Sequence, residues 1–273
     1  MRLNYYGTGA AEAIPALYCS CAVCENARKV RGKEVRSRHL TTVDNDIQFD
    51  LSPDFFYHIN ALGMEPRTIK HLVMTHAHGD HFAPDPLNLR RPPFALTDVM
   101  PYQFICSETI ARRAEASLEA GFAASNIRLV KIKPYMTLTL DEETALTALP
   151  AHHAPEAGGG YIYLLSRKGR KLLYAHDTGI LDEEVFEYLS GRELDAVSMD
   201  CTGAYKGAGE HHMHIPDCEK VVVRLVETRA LKKNAIVILS HFSHGGGATQ
   251  AELEKEAGKR GWISAYDGMT VEI

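Results

Sequence analysis

Nowhere in its 273 residues does the chain approach 18 consecutive apolar residues, so no segment reads as a membrane span. The opening MRLNYYGTGA has no basic region leading into an apolar core, which argues against a secretory signal and makes the cytoplasm the expected location. Excess positive charge is missing too: a net charge of −5 is not the footprint of stable nucleic-acid binding. Nor is there a linker, a low-complexity tract or a composition break, and a single domain over residues 1–273 is expected. A disulfide framework is absent. Cys19, Cys21 and Cys24 crowd into C-x-C-x-x-C, which in a reducing compartment reads better as a thiolate metal site lacking its fourth ligand. Cys106, Cys201 and Cys218 are scattered and read as small core residues.

Histidine is what the chain has in excess, with 14 residues. The stretch HLVMTHAHGDH, His71 to His81, delivers four ligand-type side chains just after a short apolar run: His76, His78, Asp80 and His81. A buried strand ending in a tight turn would put all four at one lip of a sheet. The alternate His76 and His78 can converge on one ion, while Asp80 and His81 can face a second. Imidazole with carboxylate suits Zn²⁺, Mn²⁺ or Fe²⁺ alike. Three further apolar segments end in candidate ligands: the LPAHH segment in His152-His153, LLYAHD in Asp177, and AIVILSH in His241.

The remaining pattern alternates strands and helices. Thr41–Asp50 reads as a hairpin turning near Asp44-Asn45, and Tyr161–Tyr174 as another around Lys168-Gly169. Helices are expected over Pro53–Leu62 (Phe55, Ile59 and Leu62 on one face), Ser107–Gly121, Leu181–Leu189, Asp217–Thr228 (Val221, Leu225 and Val226 inward) and Thr249–Ala257. The basic stretch KVRGKEVRSR reads as a solvated face, and Arg90-Arg91-Pro92-Pro93 as a loop or lid beside the site. Asp50 and Asp200 read as turn residues or as groups orienting ligand histidines. His39, His58, His71 and His176 read as structural. Strands alternating with helices in both halves predict an α/β architecture of two packed sheets with helices outside, the ligands gathered along one edge.

With these motifs in place, the chain resembles the metallo-β-lactamase-fold hydrolases: THAHGDH matches the family's H-x-H-x-D-H, and LPAHH, AHDTG and LSHFSH its later ligand segments. Within the family it is most similar to the phosphodiesterase of the bacterial phosphonate (carbon–phosphorus lyase) pathway, through GTGAAEAIPALYCSCAVC, MDCTGA and YDGMTVEI. The resemblance implies a four-layer αββα sandwich. It also implies two active-site divalent ions (Mn or Zn, with Fe allowed), one held by His76, His78 and His153, the other by Asp80, His81 and His241, with Asp177 shared. His152 competes with its neighbour for the His153 role. A structural zinc would take Cys19, Cys21, Cys24 and His244. His212, in HHMHIP, falls where that subgroup has a histidine beside the substrate phosphate. Asp80 and His212 are then the residues expected in the chemistry, Asp80 as an ionised ligand and not as a general acid. The implied activity is hydrolysis of a small or cyclic phosphodiester, with a homodimer allowed. A thioester or lactone hydrolase, an RNA 3′-end nuclease of the same fold and a non-catalytic metal carrier are the competing readings.

Overall fold

The computed structural model describes residues 1–155, 158–207 and 209–273. The first half of the chain runs β1 (Arg2–Gly7), α1 (Ala22–Val30), β2 (Leu40–Val43), β3 (Ile47–Phe49), α2 (Phe55–Leu62) and β4 (His71–Val73). It continues with β5 (Tyr102–Cys106), α3 (Glu108–Ser117), α4 (Gly121–Ala124) and β6 (Ile127–Lys131). The second half opens on the antiparallel strands β7 (Thr137–Asp141), β8 (Thr144–Ala151), β9 (Gly160–Arg167) and β10 (Arg170–Ala175). Then follow α5 (Glu183–Leu189), β11 (Leu194–Asp200), α6 (Ile215–Glu227), β12 (Leu231–Ser240), α7 (Gln250–Gly258), β13 (Ile263–Ser264) and β14 (Met269–Glu272). The last strand returns to pair with β1.

Two mixed seven-stranded sheets result, ordered β14-β1-β2-β3-β4-β5-β6 and β13-β12-β11-β10-β9-β8-β7. Their facing sides share one core in which Leu3, Phe49, Val73 and Ile105 meet Leu146, Leu165, Tyr174 and Ile238. Phe49 and Tyr174 stack at 4.0 Å. Buried tyrosines need partners for their hydroxyls: Tyr163 donates to the Met74 carbonyl at 2.7 Å, and Tyr5 pairs with Ser198 Oγ at 2.7 Å. On the outer sides, Leu72, Met74 and Phe104 pack on α3 through Ile110, Ala111 and Ala114, while α5, α6 and α7 bury Val185, Leu225 and Leu253 against the second sheet. The four layers are α, β, β, α, the architecture expected from the alternating pattern.

Local chemistry explains the helix starts. Ser107 Oγ accepts from Ile110 N, and Thr249 with Glu252 forms a reciprocal capping box. Four expectations need correction. The KVRGKEVRSR stretch is not a solvated face throughout: Arg36 is 2% exposed, its guanidinium donating to Thr8 Oγ1, the Ala265 carbonyl and Gln250 Oε1. The cysteine segment also carries α1, a helix that metal-ligand spacing obscured. In α2 the fully buried residue is His58, with Phe55 and Ile59 only partly covered. In α6, Ile215, Cys218, Val221 and Leu225 turn inward and Val226 is exposed. No helix among the described residues is long and apolar enough to cross a membrane.

Candidate metal centre

Strand direction gathers the site. β1, β3 and β4 run the same way in one sheet, and β10, β11 and β12 are parallel in the other. Their ends carry Thr8, Asp50, Thr75, Asp177, Asp200 and His241 to the same edge of the sandwich. Asp50 (φ 65°), Asp177 (φ 51°) and His241 (φ 60°) each leave their strand in the left-handed region. That conformation costs an L residue roughly 1–2 kcal/mol, and non-glycine residues hold it where the surrounding structure fixes a side chain's aim.

Two donor sets meet there, and a third, Asp177, Asp200, His212 and His241, overlaps the second. In the first, His76, His78 and His153 each place a ring nitrogen within 4.8 Å of the others, and His153 Nε2 lies 3.2 Å from His78 Nδ1. In the second, Asp80, His81, Asp177 and His241 do the same. Here His81 Nε2 is 3.2 Å from His241 Nε2 and 3.3 Å from Asp80 Oδ2. Asp177 joins the sets: its Oδ2 stands 2.6 Å from His81 Nε2 and 3.4 Å from His76 Nε2. Of the adjacent histidines, His153 is the one in the cluster; His152 faces Asp182 at 3.4 Å on the surface.

Supporting contacts fix the rings. Asp50 Oδ2 meets His81 Nδ1 at 2.7 Å, while its Oδ1 accepts from Thr75 N and Oγ1. Thr202 Oγ1 lies 2.8 Å from His241 Nδ1, and the His211 carbonyl 3.0 Å from His153 Nδ1. His212 Nδ1 pairs with Asp200 Oδ2 at 2.9 Å. Asp200 Oδ1 in turn accepts from Thr202 N and Met213 N. The sequence offered strand-end aspartates for this orienting role, but nothing in it pointed to Thr75 or Thr202.

The donors fit divalent cations. Burial opposes charge on His76 and pushes its imidazole well toward the neutral form, which carries a free lone pair. His76 Nε2 is buried with no hydrogen-bond partner among the described residues, and the buried Asp177 Oδ1 has His241 Nδ1 at 2.9 Å. Burial would raise the Asp177 carboxyl, but His241 and His81 hold it well below the usual range; the Asp80 carboxyl is lowered likewise against its burial. Buried anionic carboxylates interleaved with close-packed imidazole nitrogens, at separations a cation can bridge, are a donor set suited to divalent metal ions.

A separate cluster lies where the N-terminal loop meets the segment after β12. Donor atoms of Cys19, Cys21, Cys24 and His244 all fall within 4.8 Å of one another. His244 Nδ1 is 3.5 Å from Cys19 Sγ and 3.4 Å from Cys21 Sγ, and its Nε2 is 3.6 Å from Glu12 Oε1. Burial works against a Cys21 thiolate, yet hydrogen bonds from Cys24 N and His244 bring that thiol down to about 6. Three sulfurs and one imidazole form a closed, zinc-type set, with a carboxylate behind the histidine.

Among solved structures, the chain is similar to Zn²⁺-bound PqqB from Methylobacterium extorquens, at 16% identity over 100% of both chains and a TM-score of 0.77. A diphosphatase of the PhnP family matches at 20% identity over 100% of this chain and 97% of the other, with a TM-score of 0.76. The short form of human tRNase Z matches at 17% identity over 100% and 99%, with a TM-score of 0.67. None of the curated proteins matches the chain. These likenesses give the fold, that of the metallo-β-lactamases. Residues 45–242, which contain both donor sets and every strand end that carries them, match the model of the beta-lactamase superfamily domain, and the chain belongs to that superfamily.

Proposed function

We propose that the protein is a dinuclear-metal phosphodiesterase acting on small or cyclic phosphodiesters of the cyclic ribose phosphate or 2′,3′-cyclic nucleotide type. The observation that carries the reading is the position of Asp177 Oδ2, within 3.4 Å of His76 Nε2 in one donor set and 2.6 Å of His81 Nε2 in the other. His76, His78 and His153 would hold one ion, Asp80, His81 and His241 the second, and Asp177 both. Bound there, two divalent cations would supply Lewis acidity, lowering the pKa of water and drawing charge from phosphoryl oxygens.

The chain's own residues do the rest. Asp80, ionised beside His81, is a ligand and has no proton to give. His212 does. Burial disfavours its charged form, but Asp200 and then Asp177 outweigh that and raise the imidazole to about 9. Asp200 occupies Nδ1, so Nε2 is the nitrogen left to face the substrate and protonate a departing alkoxide. Leaving-group help of this kind is what a diester needs and a thioester does not. The structural neighbours named as a diphosphatase and a tRNase also point to phosphate linkages.

The test is turnover of an aryl phosphodiester, 2′,3′-cyclic nucleotides and a thioester by protein loaded in turn with Mn²⁺, Zn²⁺ and Fe²⁺, with metal content measured. Asp177→Ala is expected to stay folded, lose active-site metal and lower diester turnover by orders of magnitude. Near-normal diesterase activity in that variant, or a preference for the thioester, would sink the reading.

A further inference from the structure

Between the N-terminal loop and the segment around Arg38 lies a cavity of about 540 Å³, inside the roughly 300–1,000 Å³ range of small-molecule sites. One wall is the N-terminal loop from Ala11 to Cys19; the other is Arg38 with Asp54. Both walls are joined through backbone hydrogen bonds to the segments that carry His81 and His241. The loop is tied to the segment after His241: Ala10 N donates to the Phe242 carbonyl at 3.0 Å, Phe242 N to the Thr8 carbonyl at 2.9 Å, and Ser243 Oγ to Glu12 Oε1. On the other side Leu51 N donates to the His81 carbonyl at 2.7 Å, three residues before Asp54. Asp54 chiefly, with a smaller contribution from Asp80, holds the charge on the Arg38 guanidinium.

The lining decides what can enter. Tyr18 is fully exposed and Leu17 83% exposed, although they are flanked by the buried Ala16 and by Cys19. A bare aromatic face on a loop anchored at both ends is suited to stacking a flat ring. Arg38 spends Nε and Nη2 on Asp54, at 2.9 and 2.5 Å, and its Nη1 enters no hydrogen bond among the described residues. Glu12 and Asp54 set two carboxylates against that one guanidinium. A second phosphate on the substrate would meet net negative charge, and a lipid tail would meet three charged groups. A neutral group with a flat ring and hydroxyl or amino donors satisfies both the tyrosine and the carboxylates.

From this juxtaposition we propose that the cavity is the subsite for the organic portion of the substrate, and that this portion is a nucleoside, its base stacked on Tyr18 and its polar edge on Arg38, Glu12 and Asp54. The proposal rests on the phosphodiesterase reading for the position of the phosphate, not for the binding of the base. Tyr18 is a specificity residue, outside the metal machinery.

Two measurements separate the two ideas. The first is kinetics of wild type and Tyr18→Ala on 2′,3′-cyclic AMP and on ethylene phosphate, a cyclic diester with no base. The variant should raise KM for the nucleotide ~5-fold or more, the scale of one lost base–aromatic stack, and leave kcat/KM for ethylene phosphate unchanged. The second is calorimetric binding of adenosine to the metal-loaded protein, weakened by a similar factor in Tyr18→Ala. Tyr18 is fully exposed, so the variant is expected to fold as wild type does. Equal effects on both diesters, or adenosine binding that is absent or indifferent to Tyr18, would overturn the subsite. If neither diester is hydrolysed, the phosphodiesterase reading fails, and the adenosine measurement still decides the subsite.

Discussion

At the scale of single residues, the proposed chemistry turns on His212, a half-buried residue beside the buried donors. Its Nδ1 is engaged by Asp200, and its ring lies tilted against that of His153, centroids 4.7 Å apart. A general acid contributes typically ~10²- to 10⁴-fold, and most where the leaving group is poor. His212→Ala should therefore cost an alkyl or cyclic ribose diester far more than an aryl diester with an acidic phenol. Kinetics on the two substrates, with metal content in parallel, checks this. Equal losses on both would make His212 a phosphate-binding group, and lost metal would make it a ligand. Much of the candidate site could be read at this scale because ligand chemistry fixes residue type: histidines and aspartates that converge as metal donors have little freedom of identity. Register was another matter. Adjacent His152 and His153 are indistinguishable by spacing, since the chain has already left β8 at Ala151 and a local bend, not strand alternation, decides which ring turns in. Thr75 and Thr202 gave no signal, because a threonine that orients a histidine looks in sequence like any other β-branched residue.

Elements were legible where one periodicity ruled and obscure where a site interrupted it. The hairpins around Asp44-Asn45 and Lys168-Gly169 appear at those turns, Asp44, Asn45 and Lys168 taking positive φ. α1 was masked by cysteines whose spacing carries a different message, and the buried face of α2 was misjudged because histidine does not count as apolar. His58 is 0% exposed, with Nε2 2.9 Å from Ser37 Oγ. Its burial has a consequence for pH. Desolvation lowers its pKa from 6.5 to about 4, with Asp54 raising it only in part. A histidine lowered in the folded state contributes fully above the unfolded pKa, near 6.5; its contribution is lost as pH falls from there toward 4, by up to roughly 3 kcal/mol. Urea unfolding of wild type and His58→Gln between about pH 7 and pH 5 should show the variant losing less stability on acidification. Metal release in acid is common to both proteins, so the difference between them reports on His58. Parallel pH profiles would refute the assignment.

On the scale of the whole molecule, the chain is closed on itself by contacts between its two ends. β14 pairs with β1, and Asp267 accepts from Thr8 N and Oγ1 and from Ser37 N and Oγ, clasping the N-terminal loop from the far end of the sequence. The Cys19, Cys21, Cys24 and His244 cluster repeats that closure in metal-ligand chemistry, joining residues more than 200 positions apart. A closed S₃N site has no open position for substrate, so its contribution would be stability, together with the placement of the loop that carries Tyr18. His244 lies three residues beyond His241, and the two clusters therefore share one short segment of backbone. Cys21→Ser should lose about one zinc per chain and keep the active-site ions, whose donors are elsewhere. If the lost ligand destabilises the fold by ~2 kcal/mol, a protein of this size melts roughly 3–4 °C lower. Nucleotide KM should rise as the loop loosens, while turnover at saturation changes little. Metal analysis, thermal melts and kinetics on the same preparations check all three. Unchanged zinc content and melting temperature would rule the site out; lost zinc with an unchanged nucleotide KM would show that the Asp267 clasp and α1 hold the Tyr18 loop without the metal.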